Sequence, residues 1–179
     1  NFHKFGEVYR GDVKVLSQYK TKGKMPAILD FGFQRAAYDV FINETGTDKL
    51  KTLFDNDDHY NDGDSRADMN PIFIGNHDMG RFAHFLSKSK TPLDEQAQLE
   101  KVKLAHALMY FSRGIPVVYY GDEQGFVGKG GDMDSRQDMM PSKGRSAGLA
   151  ERALGHIDPG AKTCQIIIST VCKELKKIK

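Results

Sequence analysis

The chain has 179 residues, of which 39% are apolar and 28% charged, and its formal net charge is +2. This is the size and composition of one globular domain, and a charge this small gives no argument for binding nucleic acid or a membrane surface. No apolar run reaches the roughly 18–20 residues that a membrane span needs. Two cysteines, Cys164 and Cys172, are too few to define a disulfide scaffold. The chain does not start with methionine, which is consistent with a start inside a longer protein.

Strand and helix patterns alternate over the first 126 residues. Short apolar runs bounded by polar or glycine residues predict strands at 4–9, 26–31, 71–78 and 115–126. Helices are predicted at 13–22, 34–43 and 48–54, and a longer one from Pro92 to just before Gly114. Asp12, Thr47 and Thr91 precede three of these helices and are predicted to cap them.

The longest helix carries apolar residues at helical spacing, which predict one buried face made of Leu93, Ala97, Leu104, Leu108 and Phe111. The preceding loop, residues 55–70, is acidic and has no periodicity. Tyr60 and Met69 occupy two ligand positions of the EF-hand register there, so the loop is predicted to be a solvated connection rather than a calcium site.

Strands that alternate with helices of 10 to 20 residues predict a parallel sheet, buried on both faces. This order fits either a doubly wound sheet or a (β/α)₈ barrel. A doubly wound nucleotide-binding protein needs a glycine-rich strand-to-helix turn. The GKGG stretch at 128–131 lacks the required spacing, which disfavours that class.

Acidic residues lie towards the end of each predicted strand. They are Glu7, Asp30, Asp78 and, in the fourth strand, Asp122 with Glu123. The carboxyl ends of parallel strands share one edge, where α/β proteins bind and transform their ligands. Clustered carboxylates raise one another's pKa values, so one can hold a proton while another stays ionised. Cleavage of an acetal needs both forms, which makes glycoside chemistry a candidate function.

Three motifs, GEVYRGD, FIGNHDMGRF and GIPVVYYGDEQGF, occur in this order and resemble the α-amylase family of glycoside hydrolases. They are similar to its third and fourth signature regions and to its last barrel strand. PAILDF resembles the sixth strand, and GGDMDSRQDMMPS a loop after the last strand. The resemblance covers residues 4–141 and implies an α/β fold, namely the second half (strands 5–8) of a (β/α)₈ TIM barrel. Residues 1–141 would form this partial catalytic domain, and 142–179 a divergent final helix or an unrelated tail.

The resemblance also implies roles for individual residues. Glu7 matches the general acid/base of the family, and Asp78 the carboxylate that stabilises the transition state by holding sugar hydroxyls. His77 matches a histidine that hydrogen-bonds the same sugar. Asp132 and Arg136 match an acid and an arginine that bind glucose units near the cleaved bond. The expected partner is therefore an α-glucan oligo- or polysaccharide, with no nucleic acid and no membrane involved.

One catalytic group of the family is missing from the sequence. Its nucleophile is an aspartate in a G-x-R-x-D pattern some tens of residues before the general acid, and no residue before Glu7 fits. We therefore expect a retaining glycoside hydrolase that cleaves α-1,4-glucosidic bonds as the complete protein, and no activity from this chain alone. The alternatives are an α-glucan transglycosidase of the same family or a non-catalytic carbohydrate-binding half barrel.

The resemblance carries three further expectations. No metal ligand or cofactor is predicted in this segment, whereas the complete enzyme can hold Ca²⁺, because the family's calcium site draws on regions outside this chain. The open edges of a half barrel predict self-association. Enzymes that attack polymeric starch are usually exported, so a secreted or periplasmic location is expected.

Overall fold

Four short parallel strands form the frame of residues 2–137, the part of the chain that the computed structural model describes. They are β1 (Phe5–Gly6), β2 (Ala27–Ile28), β3 (Pro71–Ile72) and β4 (Ile115–Pro116). β1 pairs with β2 and β3 pairs with β4, both in parallel. The backbone N–H of Asp30 donates to the carbonyl of Pro71 at 2.9 Å and joins the two pairs. The strands therefore lie side by side in chain order, with all carboxyl ends at one edge.

The predicted strand positions are confirmed, but the predicted lengths are wrong, because only two residues of each strand make paired ladder contacts. The run after β3 shows why: Phe73 and Ile74 are buried by packing, without a ladder partner among the described residues. β4 is also less buried than its apolar sequence predicts. Ile115 and Val117 are 42% and 41% exposed, since β4 pairs only with β3 in the described part of the chain.

Helices connect and cover these strands. The longer ones are α1 (Val13–Thr21), α2 (Phe31–Phe41), α3 (Asp48–Asp55) and α5 (Glu95–Phe111), and the shorter ones are α4 (Phe82–Leu86) and α6 (Asp132–Ser135). An aspartate caps each of α1, α2 and α5 by accepting a hydrogen bond from a backbone N–H of the first turn. The caps are Asp12, Asp30 and Asp94, with distances of 2.8, 2.9 and 2.7 Å. The cap predicted at Asp12 is confirmed.

The other two predicted caps differ in the structure. Thr47 occupies the N-cap position of α3, as predicted, but its side chain makes no capping hydrogen bond among the described residues. Thr91 donates its hydroxyl to Glu44, 47 residues earlier in the chain, at 2.8 Å. α5 consequently begins at Glu95 rather than at Pro92, because Asp94 satisfies the free N–H of Ala97.

The buried face of α5 also differs from the prediction. Ala105 and Met109 are fully buried, whereas Leu104 is 60% exposed and Phe111 91% exposed. The prediction is therefore correct in part, because Leu93 and Leu108 are partly buried and pack against the main core, and wrong for Leu104 and Phe111. The buried residues of α5 are those that face α2 and α4.

The main core lies between the helices and the strands. It contains the buried residues Phe33, Phe41, Ile72, Ile74, Phe82, Leu86 and Met109. A second cluster joins Leu16 and Ile28 to Tyr60 and Ala67, which belong to the acidic loop. The loop at 55–70 is therefore only partly solvated: it contributes buried side chains and two short 3₁₀ turns, Asp57–Tyr60 and Ala67–Met69.

Buried polar groups tie this loop to the strands. The ammonium group of Lys20 donates to the carbonyl of Arg66 at 2.6 Å and to Oδ1 of Asn70 at 2.8 Å. Arg113, just before β4, pairs with both Asp30 and Asp57. These bonds span 46 to 83 residues of sequence, so they fix the tertiary arrangement rather than local structure. Among the described helices, none is long and apolar enough to cross a bilayer.

Candidate active site

Glu7 and Asp78 follow two parallel strands at the same edge of the sheet. Glu7 comes directly after β1 and is exposed, and Asp78 lies in the turn after β3 and is also exposed. β2 is the strand between them. At roughly 4.8 Å per strand, β1 and β3 lie about 10 Å apart in the sheet direction.

A tight turn positions His77 and Asp78. The side-chain oxygen Oδ1 of Asn76 accepts hydrogen bonds from the backbone N–H groups of Asp78, at 3.1 Å, and Met79, at 2.8 Å. The Asn76 carbonyl accepts from Gly80 at 3.0 Å. Nε2 of His77 lies 3.3 Å from Oδ1 of Asp78, and the two side chains are 39% and 44% exposed. The turn therefore presents an imidazole and a carboxylate together, within reach of a ligand in solution.

The loop after β4 packs against this turn. The N–H of Gly131 donates to the carbonyl of His77 at 3.2 Å, and the N–H of Arg81 donates to the carbonyl of Gly128 at 2.8 Å. Gly130 comes so close that a Cβ placed on it would lie 2.4 Å from the carbonyl oxygen of Asp78. Position 130 therefore has room only for glycine.

Asp132 and Arg136 belong to the same loop. Asp132 is the first residue of α6, and Arg136 directly follows that helix and is exposed. Arg136 lies near enough to Tyr119 to act electrostatically on its phenol. The loop that carries Asp132 and Arg136 thus lies against the His77–Asp78 turn, through the bond from Gly131 to His77.

Arg81 is a residue of this region that the sequence analysis missed. Its side chain is fully buried. Its guanidinium donates to Oδ1 of Asp122 at 2.7 Å, to the carbonyl of Tyr120 at 2.6 Å and to the carbonyl of Ser135 at 2.7 Å. The signal was its place in FIGNHDMGRF, directly before the apolar residues Phe82 and Ala83, because a charged residue needs a specific partner when it is buried.

Two of the acids at strand ends are buried rather than exposed at the edge formed by the carboxyl ends of the strands. Asp30 is fully buried, caps α2 and pairs with Arg113. Asp122 is 4% exposed and pairs with Arg81. Burial raises the pKa of Asp122 to about 6, although Arg81 acts in the opposite direction. The expectation that all strand-end carboxylates converge on one binding edge is therefore wrong for these two, which hold the fold together.

Within residues 2–137, no group of three or more histidine, cysteine, aspartate or glutamate side chains is arranged to hold a metal ion.

Comparison with known proteins identifies the relatives of this chain. A model of the family described as the α-amylase catalytic domain matches residues 1–157. The chain is 43% identical over 143 residues to an α-amylase of Streptomyces lividans, a match that covers 80% of this chain and 16% of the relative. It is 36% identical over 129 residues to a cyclomaltodextrin glucanotransferase of Bacillus licheniformis, covering 67% of this chain and 15% of the relative. The chain thus spans about a sixth of the length of these curated relatives.

Solved structures show the same relationship. The crystal structure of an Anoxybacillus α-amylase superimposes with a TM-score of 0.62 at 25% identity, covering 74% of this chain and 27% of that one. The γ-cyclomaltodextrin glucanotransferase of an alkalophilic Bacillus clarkii gives a TM-score of 0.59 at 24% identity, covering 83% and 21%. The described fold is that of one part of a (β/α)₈ barrel.

Proposed function

Because the chain belongs to the α-amylase family of glycoside hydrolases, we propose that it supplies one side of an active site that cleaves α-1,4-glucosidic bonds in starch-like glucans with retention of configuration. The observation that carries this proposal is the turn after β3. It presents His77 and Asp78 to solvent, 3.3 Å apart, at the same sheet edge as Glu7. An imidazole beside a carboxylate suits neighbouring hydroxyl groups of a glucose ring, since it offers a donor and an acceptor side by side.

The proposed chemistry divides between the two strand ends. Glu7 donates its proton to the glycosidic oxygen as the bond breaks and later accepts one from the attacking water. Asp78 and His77 hold the hydroxyls of the sugar that acquires positive charge, and the carboxylate stabilises that charge. A retaining reaction also needs a nucleophilic carboxylate roughly 5 Å from the acid. We propose that an upstream aspartate of the complete protein provides it, so this chain alone does not hydrolyse starch.

We further propose that the chain is the second half of the barrel, strands 5–8. The support is the order of the three motifs and the four consecutive parallel strands that carry them. The boundary predicted at residue 141 lies outside the described residues, as do the proposed divergent tail 142–179 and both cysteines.

A second candidate function is α-glucan transfer. It is supported by the similarity to a cyclomaltodextrin glucanotransferase, although this similarity is weaker than that to the α-amylase. Transfer and hydrolysis share the first half-reaction and differ in whether a sugar hydroxyl or water attacks the intermediate. The residues proposed above serve either reaction. The third alternative, a non-catalytic carbohydrate-binding half barrel, keeps the glucan contacts of His77 and Asp78 without the proton transfer of Glu7.

The test compares three variants of the complete protein that contains this chain with the unaltered protein. Glu7→Gln and Asp78→Asn each keep the shape of the side chain and remove its charge, and each is expected to lower kcat on maltoheptaose by at least roughly a hundredfold. Asp68→Asn removes a carboxylate that is exposed and pairs with Arg66 in the acidic loop, so it serves as the control. Equal kcat for Glu7→Gln and the control would refute the assignment. Product analysis distinguishes shortened linear glucans from cyclic or transferred ones.

We propose that the complete protein acts in the medium or the periplasm, because polymeric starch does not enter cells, and that it binds Ca²⁺ through residues outside this segment. Fractionation of cells and the loss of activity on addition of a chelator test these two points separately.

A further inference from the structure

We infer that Arg81 is a positioning residue, which clamps the segment after β4 onto the turn that carries His77 and Asp78. This inference rests on the proposed function, because it explains how residues from two separate segments meet one glucan. Arg81 does not itself contact the substrate in this scheme, since its side chain is fully buried.

The guanidinium of Arg81 donates hydrogen bonds to three different acceptors. Nη1 donates to the carbonyl of Tyr120 at 2.6 Å and to the carboxylate of Asp122 at 2.7 Å. Nη2 and Nε both donate to the carbonyl of Ser135, at 2.7 and 3.1 Å. The two ends of the segment from Tyr120 to Ser135 are therefore held by one side chain, 39 to 54 residues away in sequence.

Aromatic rings enclose this guanidinium. Its central carbon lies 4.1 Å from the ring centre of Tyr119, 5.0 Å from that of Tyr120 and 5.4 Å from that of Phe126. A cation held against aromatic faces and away from water interacts with them more strongly than at an exposed site. The hydroxyl of Tyr119 also donates to the Ser135 carbonyl, at 3.1 Å. The rings and Arg81 thus fix the same point of the loop.

Backbone hydrogen bonds between the loop and the turn extend the clamp to the proposed sugar-binding residues. The N–H of Arg81 donates to Gly128, and the N–H of Gly131 donates to the carbonyl of His77. The hydroxyl of Ser135 closes the loop on itself by donating to the carbonyl of Lys129 at 2.7 Å. The turn and the loop therefore behave as one unit, in which the backbone of α6 cannot shift without breaking the contacts of Arg81.

Lysine cannot replace this arrangement. An ammonium group is a compact charge on a flexible stem, and it does not match three acceptors that lie around a planar fork. Arg81→Lys keeps the positive charge beside Asp122 and removes only the geometry. It therefore separates the clamp from the charge balance of the buried pair.

Hydrogen exchange of the unaltered chain and of Arg81→Lys measures the clamp directly. The amides of residues 126–136 and 76–81 are expected to exchange at least about tenfold faster in the variant, because the hydrogen bonds between the loop and the turn break more often. The amides of α5 should exchange at the unaltered rate. Arg113→Lys is the matched control, since Arg113 is also a largely buried arginine that pairs with two aspartates but contacts neither the turn nor the loop.

A double variant, Arg81→Met with Asp122→Asn, guards against a variant that fails to fold. It removes both charges of the buried pair, so no unpaired ion is left in the interior. The same local opening of 126–136 and 76–81 is expected. Unchanged exchange of these amides in both Arg81 variants, or equal acceleration in Arg113→Lys, would overturn the clamp.

Titration of the complete protein with maltoheptaose then tests whether the clamp affects the affinity for the glucan. Arg81→Lys is expected to raise the Kd by about tenfold, because a loosened loop must be ordered again on binding, while Arg113→Lys leaves the Kd unchanged. Faster loop exchange with an unchanged Kd would overturn the positioning role and leave the proposed function intact. An unaltered complete protein that shows the expected exchange but binds no maltoheptaose would support the clamp and refute the proposed function.

Discussion

The ammonium group of Lys20 lies in the protein interior, with 1% of the residue exposed. It donates to Arg66 and Asn70 and lies over the ring of Tyr60. Burial lowers its pKa from 10.5 to about 8. Between these two values the unfolded chain holds the proton and the folded chain does not, so the free energy of unfolding rises with pH through this window.

This pKa shift gives a prediction at the scale of one residue. The contribution of Lys20 to the free energy of unfolding should grow by roughly 2 kcal/mol between pH 8 and 10. Denaturant unfolding at pH 7, 8, 9 and 10 measures it as the difference between the unaltered chain and Lys20→Met. The series ends at pH 10, because tyrosines of the unfolded chain ionise above it. A difference that stays constant with pH would contradict the lowered pKa.

Gly130 gives a second prediction at this scale. A methyl group there would lie 2.4 Å from the carbonyl oxygen of Asp78 and 2.8 Å from that of Met79, which are backbone atoms that cannot rotate away. Gly130→Ala should therefore push the loop away from the turn and weaken maltoheptaose binding, by about tenfold if the displacement is near 1 Å. Gly63→Ala is the control, since nothing lies within 4 Å of a Cβ at that position. Equal affinities of the two variants would show that the loop tolerates the methyl group.

At the scale of the element, α5 tests which residue caps a helix. Asp94 accepts from the N–H of Ala97 at 2.7 Å, whereas Thr91, the cap expected from sequence, bonds to Glu44. Asp94→Ala should lower the free energy of unfolding by about 1 kcal/mol, because the N–H of Ala97 loses its partner. Thr91→Ala should change it by no more than a few tenths, since its bond is exposed. Thermal or denaturant unfolding of both variants checks the ranking, and a larger loss for Thr91→Ala would reverse it.

At the scale of the whole molecule, apolar side chains stand exposed along α5 and β4. Phe111 is 91% exposed, Leu104 60%, and Ile115 and Val117 about four-tenths. In the part of the chain that the structure describes, β4 pairs on one side only, and so does β1 at the opposite end of the sheet. An apolar strand with a free edge is a template for pairing with another chain.

We therefore predict that the chain of 179 residues self-associates when it is produced alone, and that it does not hydrolyse starch. Sedimentation velocity over a range of concentrations should show dimers or larger species. Val117→Lys should shift the distribution towards monomer, because a charge on an edge strand opposes pairing. Tyr19→Lys makes the same kind of change on an exposed position of α1 and should have no such effect. A monomer at all concentrations, or amylase activity of the chain alone, would contradict the prediction.

The sequence by itself determined the features that depend on neighbouring residues. Alternating apolar runs and helical spacing predicted the four strands and the four longer helices in order, but not the short helices α4 and α6. Asp12 was identified as a cap because capping acts within three residues. The motif FIGNHDMGRF placed His77 and Asp78 together at the end of a strand, since adjacent residues in a tight turn need no distant partner. The family resemblance drawn from such motifs agrees with the matched family model.

Only the tertiary structure decided the features that depend on residues far apart in the chain. Asp30 and Asp122 looked like members of an acidic site, and the structure gives them Arg113 and Arg81 as partners, 83 and 41 residues away. The buried face of α5 was likewise set by the helices beside it, because apolar residues lie on more than one side of this helix. Burial and ion pairing are long-range properties, and a local sequence pattern carries no information about which distant residue will remove a side chain from water.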